Sequence, residues 1–186
     1  ALRFKAENDG PFLNDNKSMA APPWTSLREL EHASLKFEED NTDDPEYLKW
    51  VDLLIAPGSS LGGARPKASV MDEHNNLWIA KFPSRNDDKD IAAWEMVTNQ
   101  LAISAGINVA QGRLLQFNNR YHTYLTKRFD RTIAGERIHF ASAMTLLGHM
   151  DGEDAFGASY LELMEFISRH GASVENDLEE LWRRIV

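Results

Sequence analysis

The residues of this sequence best suited to chemistry are a run of small residues followed by cations. Gly58-Ser59-Ser60-Leu61-Gly62-Gly63-Ala64 leads into Arg65-Pro66-Lys67, and Lys81 then ends the apolar segment Leu77-Trp78-Ile79-Ala80. Small residues let a backbone approach an anion closely and turn several N–H groups toward it. Arg65 and Lys67 add positive charge, so the set suits a phosphate. The run fits neither G-x-x-x-x-G-K-S/T nor G-x-G-x-x-G, and alone it reads equally as a loop before a strand. Its neighbours in the chain tilt the reading. A strand lysine, Lys81, and then a glutamate, Glu95, in the next helical segment complete an order that points to a nucleotide site.

Ile79-Ala80-Lys81 resembles the V-A-I-K segment whose lysine, in protein kinases, holds nucleotide phosphates and pairs with a helix glutamate. On a helical wheel Ile91, Trp94, Thr98, Leu101, Ala102 and Ala105 form the inner stripe, with Glu95 at its margin. A carboxylate there needs a cation; the plainer alternative is an exposed glutamate at the stripe edge. The strand Tyr121–Phe129 is the expected adenine-side strand, with Lys127 and Phe129 as its edge residues. Lys127, Arg128 and Arg131 lie within five residues and read most simply as a solvated basic edge. His32, His74, His122, His139, His149 and His170 show no metal-ligand spacing. The Asp151, Glu153 and Asp154 cluster lacks an EF-hand pattern and reads as a solvated loop, so no metal ligands are expected.

These groups sit in an acidic chain of 186 residues with 42% hydrophobic and 26% charged residues and a net charge of −9. The balance suits a folded domain, or two small ones, with a real core. It argues against an autonomous nucleic-acid binder, which is normally basic. The absence of cysteine excludes disulfide scaffolds, thiolate metal sites and cysteine nucleophiles. No apolar run approaches the roughly 20 residues of a membrane helix, and Ala1–Gly10 does not read as a signal peptide. A cytoplasmic protein with no membrane partner is expected.

Period and punctuation mark out the elements that must position the site. Ala1–Lys5 alternates like a strand. Thr25 and Ser26 are expected to cap a helix to Phe37, with Leu27, Leu30, Ala33 and Phe37 inside. Asp44 and Pro45 open a second helix to Ile55. Strands Lys67–Asp72 and Leu77–Phe82 flank a turn over Glu73–Asn76. Asn86-Asp87-Asp88 opens a helix from Asp90 to Ala105, closed by Gly106. Val109–Phe117 and Arg120–Lys127 form a second strand pair turning at Asn118-Asn119. Ala141–Leu147, ended by Gly148, and Ala158–His170, capped by Gly171, are helices. A last helix comes after Ser173, with Leu178, Leu181, Trp182 and Ile185 on one side. Its apolar, uncapped end at Ile185-Val186, and a start without Met, predict a natural chain that continues. The order gives an α+β fold with an antiparallel sheet and disfavours Rossmann and Walker folds.

Taken together, Ser60–Lys67, Trp78-Ile79-Ala80-Lys81-Phe82-Pro83 and Arg128-Phe129-Asp130-Arg131 resemble the HipA family of bacterial serine/threonine kinase toxins from type II toxin–antitoxin modules. Ala1–Phe4, Leu101-Ala102 with Ala105-Gly106-Ile107, and Arg137-Ile138-His139 extend the likeness along the chain. The resemblance implies a HipA-like kinase fold, an N-lobe with an antiparallel sheet and the mostly helical start of a C-lobe. Residues 1–56 would be part of the N-terminal subdomain, 57–131 the kinase-like N-lobe, and 132–186 the beginning of the C-lobe. It implies ATP held by Ser60, Gly62, Gly63, Ala64, Arg65, Lys67, Lys81, Glu95, Lys127 and Phe129. In this picture Lys81 contacts the phosphates, the Ser60–Lys67 loop covers them, and Lys127 and Phe129 match the hinge. Ser60 matches the serine that family members phosphorylate on themselves, which silences the kinase.

The resemblance also implies a protein substrate of the aminoacyl-tRNA synthetase class. A helix-turn-helix antitoxin would be the partner, and DNA would be met only through it. The family's catalytic-loop aspartate and asparagine and its metal-binding aspartate have no counterpart among these residues. The Mg²⁺ ligands are therefore expected beyond Val186, no catalytic residue is assigned within the chain, and these 186 residues alone are expected to be inactive. The alternatives are a non-catalytic nucleotide- or antitoxin-binding module and a small-molecule or lipid kinase of the wider superfamily.

Overall fold

A computed structural model describes residues 23–38, 65–117, 119–132, 134–150 and 158–186. The expected first strand, the Asp44–Ile55 helix, the loop positions Ser60, Gly62, Gly63 and Ala64, and the 151–157 acidic loop lie outside the described residues. The chain divides into two compact units, one of residues 1–100 and 110–137, the other of 101–109 and 138–186.

In the first unit a 3-10 turn, Trp24–Ser26, runs into α1, Leu27–Phe37. Strands β1 (Lys67–Met71) and β2 (Leu77–Lys81) precede α2 (Ile91–Ser104), and β3 (Gly112–Leu115) and β4 (Thr123–Lys127) come after it. The four strands form one sheet in the order β1-β2-β4-β3, antiparallel throughout. This is the expected α+β architecture, with both strand pairs present and somewhat shorter than read from the sequence.

Alternation along the strands decides which side chains meet which helix. Ala68 and Val70 of β1, Trp78 and Ala80 of β2, and Leu125 of β4 join Leu27 and Leu30 of α1 and Phe82 in the core. Trp24 stands edge-on to Trp78, with ring centroids 5.4 Å apart. The other residues of β1 and β2, with Lys67 and Lys81 among them, point to the opposite face. A fully buried apolar face on one side thus leaves the lysines on the other.

The buried stripe of α1 is Leu27, Leu30, Glu31 and Ser34, with Ala33 beside it, and Phe37 is exposed. The spacing of three, four and seven that contacts the sheet passes through the two polar residues rather than Phe37. Glu31 is accommodated because its carboxylate accepts the Thr123 hydroxyl at 2.5 Å. Burial nevertheless pushes its pKa up, against the smaller downward effect of that bond. The expected Ser26 cap is also absent: Ser26 makes no side-chain cap bond, its backbone lying at φ −84° and ψ 1° rather than in the extended region of a capping residue, while its N–H closes the 3-10 turn on the Pro23 carbonyl at 2.9 Å.

The β1–β2 hairpin is tied by one carboxylate. Asp72 accepts from the His74 and Asn76 amides at 2.9 and 2.8 Å and from Trp78 Nε1 at 2.9 Å. Asn75 takes the left-handed conformation, φ 61°, that asparagine tolerates in a tight turn. Burial pushes the Asp72 carboxyl up, but the bonds from Trp78, Asn76 and His74 together outweigh it and bring its pKa from 3.8 to about 2.

The second unit carries α3 (Ala143–Leu147), α4 (Tyr160–His170) and α5 (Val174–Ile185). Ser142 and Ser159 cap α3 and α4, accepting the Thr145 and Glu162 amides. Gly148 ends α3 with φ 76°. Gly171 ends α4 with an extended backbone instead, and its need for glycine is spatial, since a Cβ would lie 2.6 Å from the Ile167 carbonyl. Leu178 and Leu181 are half-buried, whereas Trp182 and Ile185, expected on the same inner side, are exposed. No helix among the described residues is long and apolar enough to cross a membrane.

Two carboxylates make stability depend on pH in opposite senses. Asp72 has a depressed folded pKa, so its contribution is complete above about 3.8 and is lost as pH falls toward about 2. Acid titration by circular dichroism should find Asp72→Asn less stable than wild type at neutral pH, with the gap closing across that window. Glu31 has a raised folded pKa, so its ionisation opposes folding as pH rises past the ordinary carboxylate range. Urea unfolding should show Glu31→Gln gaining on wild type between pH 4 and 8; a gap that is constant with pH would contradict the assignment.

Candidate functional site

Lys81 is the last residue of β2 and faces Lys67 in β1 and Tyr124 in β4 across the ladder. One row of the sheet therefore carries two ammonium groups beside an aromatic ring. The carboxylate that answers them comes from α2, where Glu95 makes a hydrogen-bonded ion pair with Lys81.

The phase of α2 is set at its first turn. Asp90 accepts the Ala93 amide at 3.0 Å and is thus the helix cap, a role expected of Asn86-Asp87-Asp88. The same carboxylate accepts the His122 amide at 3.4 Å and pairs with the His122 ring. Burial raises the Asp90 pKa less than these His122 and Ala93 bonds lower it, so the group stays below the ordinary range. This staple to the residue before β4 fixes which helix face meets the sheet. Ala92, Glu95, Met96 and Asn99 take that face, and the Asn99 side-chain amide donates to the Ala110 carbonyl at 3.0 Å. The expected stripe is corrected accordingly: Trp94, Thr98 and Leu101 are exposed, and Glu95 occupies the inner face rather than its margin.

Around this pair the other expected residues take distinct places. Lys67 donates to the Arg65 carbonyl at 2.7 Å. Burial, and then the charges of Lys81 and Arg65, hold its amine below the ordinary lysine range. Arg65 makes a two-pronged ion pair with Asp87, one contact measuring 3.0 Å. Asp87 in turn accepts the Ser84 amide at 2.9 Å. Ser84 and Arg85 are further anchored by Glu38, whose carboxylate accepts the Ser84 hydroxyl at 3.1 Å and the Arg85 amide at 2.7 Å.

Lys127 pairs with Trp78 in register and so belongs to the row behind the site face. Its amide is committed to the Gln111 carbonyl at 2.9 Å. Phe129 lies just past the end of β4 with an exposed ring. Arg128 and Arg131 are not a solvated edge. Both grip Asp130, Arg128 through Nε at 2.8 Å and Nη2 at 2.6 Å, Arg131 through Nη1 at 2.7 Å. The Arg128 bond, ahead of burial, holds the Asp130 carboxyl below its usual range. The segment after β4 is thereby bent around one carboxylate with Phe129 between the two arginines.

The arrangement concentrates cations on one partly open sheet face, anchored from behind by a closed core. Burial first, and then the Lys81 and Arg65 charges, disfavour the Lys67 ammonium, and an anion placed there offsets both, which is the electrostatic condition for holding a phosphate. ATP phosphates fit this donor set. Among the described residues, no group of three or more His, Cys, Asp or Glu side chains is placed to hold a metal ion. Sequence reasoning missed the contacts made by Asp87, Asp90, His122, Tyr124 and Asp130. The Tyr124 contact comes from the Lys81–Tyr124 register, which no local pattern displays.

None of the curated proteins compared with the chain matches it. The family description that does match is the HipA-like C-terminal domain, over residues 59–186. That stretch contains every residue of the Lys67–Lys81–Glu95 cluster and the Arg128–Arg131 clamp, and on it the chain belongs to the HipA family.

Proposed function

We propose that these residues form the nucleotide-clamping part of a HipA-type serine/threonine protein kinase toxin. The observation that carries the reading is the Lys81–Glu95 pair beside Lys67 on one sheet face. Glu95 holds the Lys81 ammonium extended toward the face, and Lys81 and Lys67 bind the ATP phosphates. Ser60, Gly62, Gly63, Ala64 and Arg65 supply the loop over those phosphates, Arg65 being braced by Asp87. The backbone of the strand end at Lys127 and Phe129 flanks the base as the hinge, the Lys127 side chain itself belonging to the row behind the site face. Ser60 is the self-phosphorylated serine whose modification silences the enzyme. Mg²⁺, when bound with ATP, would neutralise phosphate charge.

The proposed substrate is a protein of the aminoacyl-tRNA synthetase class. The proposed partner is a helix-turn-helix antitoxin, through which the complex meets DNA, in the cytoplasm. Membership of the HipA family supports this reading. So does the acidic chain, which leaves DNA contacts to the antitoxin.

Calorimetry with ATP should give measurable affinity for the 186-residue chain. Lys81→Ala should weaken it about 10- to 100-fold, the range for losing a hydrogen bond to a charged group. Glu95→Gln should weaken it less, since the lysine charge survives. Equal affinity in wild type and Lys81→Ala, with both folded, would remove the phosphate role.

The same purified chain should show no phosphotransfer to protein from labelled ATP. Robust turnover by a product of verified mass, abolished by Lys81→Ala, would overturn that expectation.

A further inference from the structure

Tyr124 is almost wholly enclosed, 3% exposed, on the face of β4 that carries the site. Lys81 Nζ stands 5.6 Å from its ring centroid. Burial and then the Glu95 charge push the phenol up, while the Thr126 hydroxyl pulls it the other way. The Tyr124 hydroxyl reaches over Gly112 of β3, where a Cβ would come within 2.6 Å of it. Side chains or backbone from β2, α2 and β3 thus converge on one ring.

The geometry points to Tyr124 as the positioning residue for the Lys81 ammonium. A lysine held by Glu95 alone has one attraction on a flexible four-carbon stem, and its nitrogen can swing on an arc about the carboxylate. The negative face of an aromatic ring attracts the same cation from the sheet side. Two attractions from different directions fix the nitrogen at a point. Gly112 must be glycine here, because a Cβ at that position would collide with the Tyr124 hydroxyl and displace the ring. Tyr124 touches no phosphate in this scheme. Its effect on nucleotide binding passes through Lys81 and rests on the proposed nucleotide site.

The test replaces Tyr124 in the 186-residue chain with Phe and then with phenylalanines carrying increasing ring fluorine. Shape changes little along this series, while the charge on the ring face weakens and then reverses. One readout is the ATP dissociation constant. The other is the NMR shift of the Lys81 ε-methylene, which a ring beneath it moves upfield. Tyr124→Phe should leave affinity little changed, and the fully fluorinated ring should raise the dissociation constant about 3- to 10-fold, the scale of a partly desolvated cation–π contact. A flat affinity across the series in folded proteins would overturn the proposal. So would an ε-methylene shift that is the same in wild type and in Tyr124→Leu. Should wild type bind no ATP, the nucleotide reading falls, and the ε-methylene shift still decides the Lys81 contact by itself: an upfield signal lost in Tyr124→Leu supports it, and its absence in wild type overturns it.

Discussion

The half-buried Lys81 ammonium at the end of β2 is met by a carboxylate, and that carboxylate comes from a helix. The Lys81–Glu95 pair therefore constrains both elements at once. It requires α2 to present one face at one height along the sheet. Asp90 satisfies that requirement by capping the helix and binding His122 with the same side chain. Asn99, one turn beyond Glu95, repeats the attachment on the Ala110 carbonyl. The face that α2 turns to the sheet thus combines polar contacts at Asp90, Glu95 and Asn99 with the apolar Ala92 and Met96.

The opposite face of the sheet is built on the other principle. Trp78, Ala80, Val70, Ala68 and Leu125 are closed off by Leu27 and Leu30 of α1. Such packing is dense and permits little movement of the strands. A rigid back face is what a charged front face needs, because cations in repulsion would otherwise spread apart. Adjacent residues of β4 serve the two faces: Thr123 binds Glu31 behind, and Tyr124 lies beneath Lys81 in front. The alternation of a single strand couples the buried helix to the site.

Carboxylates do most of the local fixing. Asp72 ties the β1–β2 turn to Trp78. Asp87 joins Arg65 to the Ser84 loop. Asp130 gathers Arg128 and Arg131. In an acidic chain these groups are the ones engaged internally. Each replaces a longer stretch of regular structure with a few charge-assisted bonds, which are stronger than neutral ones.

Much of this was legible in the sequence. Period two marked both hairpins, glycine ended α2 and α3, and the order of small-residue loop, strand lysine and helix glutamate named Lys81 and Glu95 before any geometry. Those features are local, set by backbone preference and spacing along a few residues. What the tertiary structure decided was which faces meet. Trp94 and Leu101 drew the helical stripe to the wrong side of α2, because apolarity alone cannot register a helix held by Asp90 and His122. Phe37 misled in the same way on α1, where Glu31 and Ser34 take the inner positions. Tyr124, Asp87 and Asp130 acquired roles only through partners brought by cross-strand register, by a contact 22 residues distant, or by a bend after β4. A sequence specifies the period of each element, but the phase between elements is a balance of contacts made only when all of them are folded.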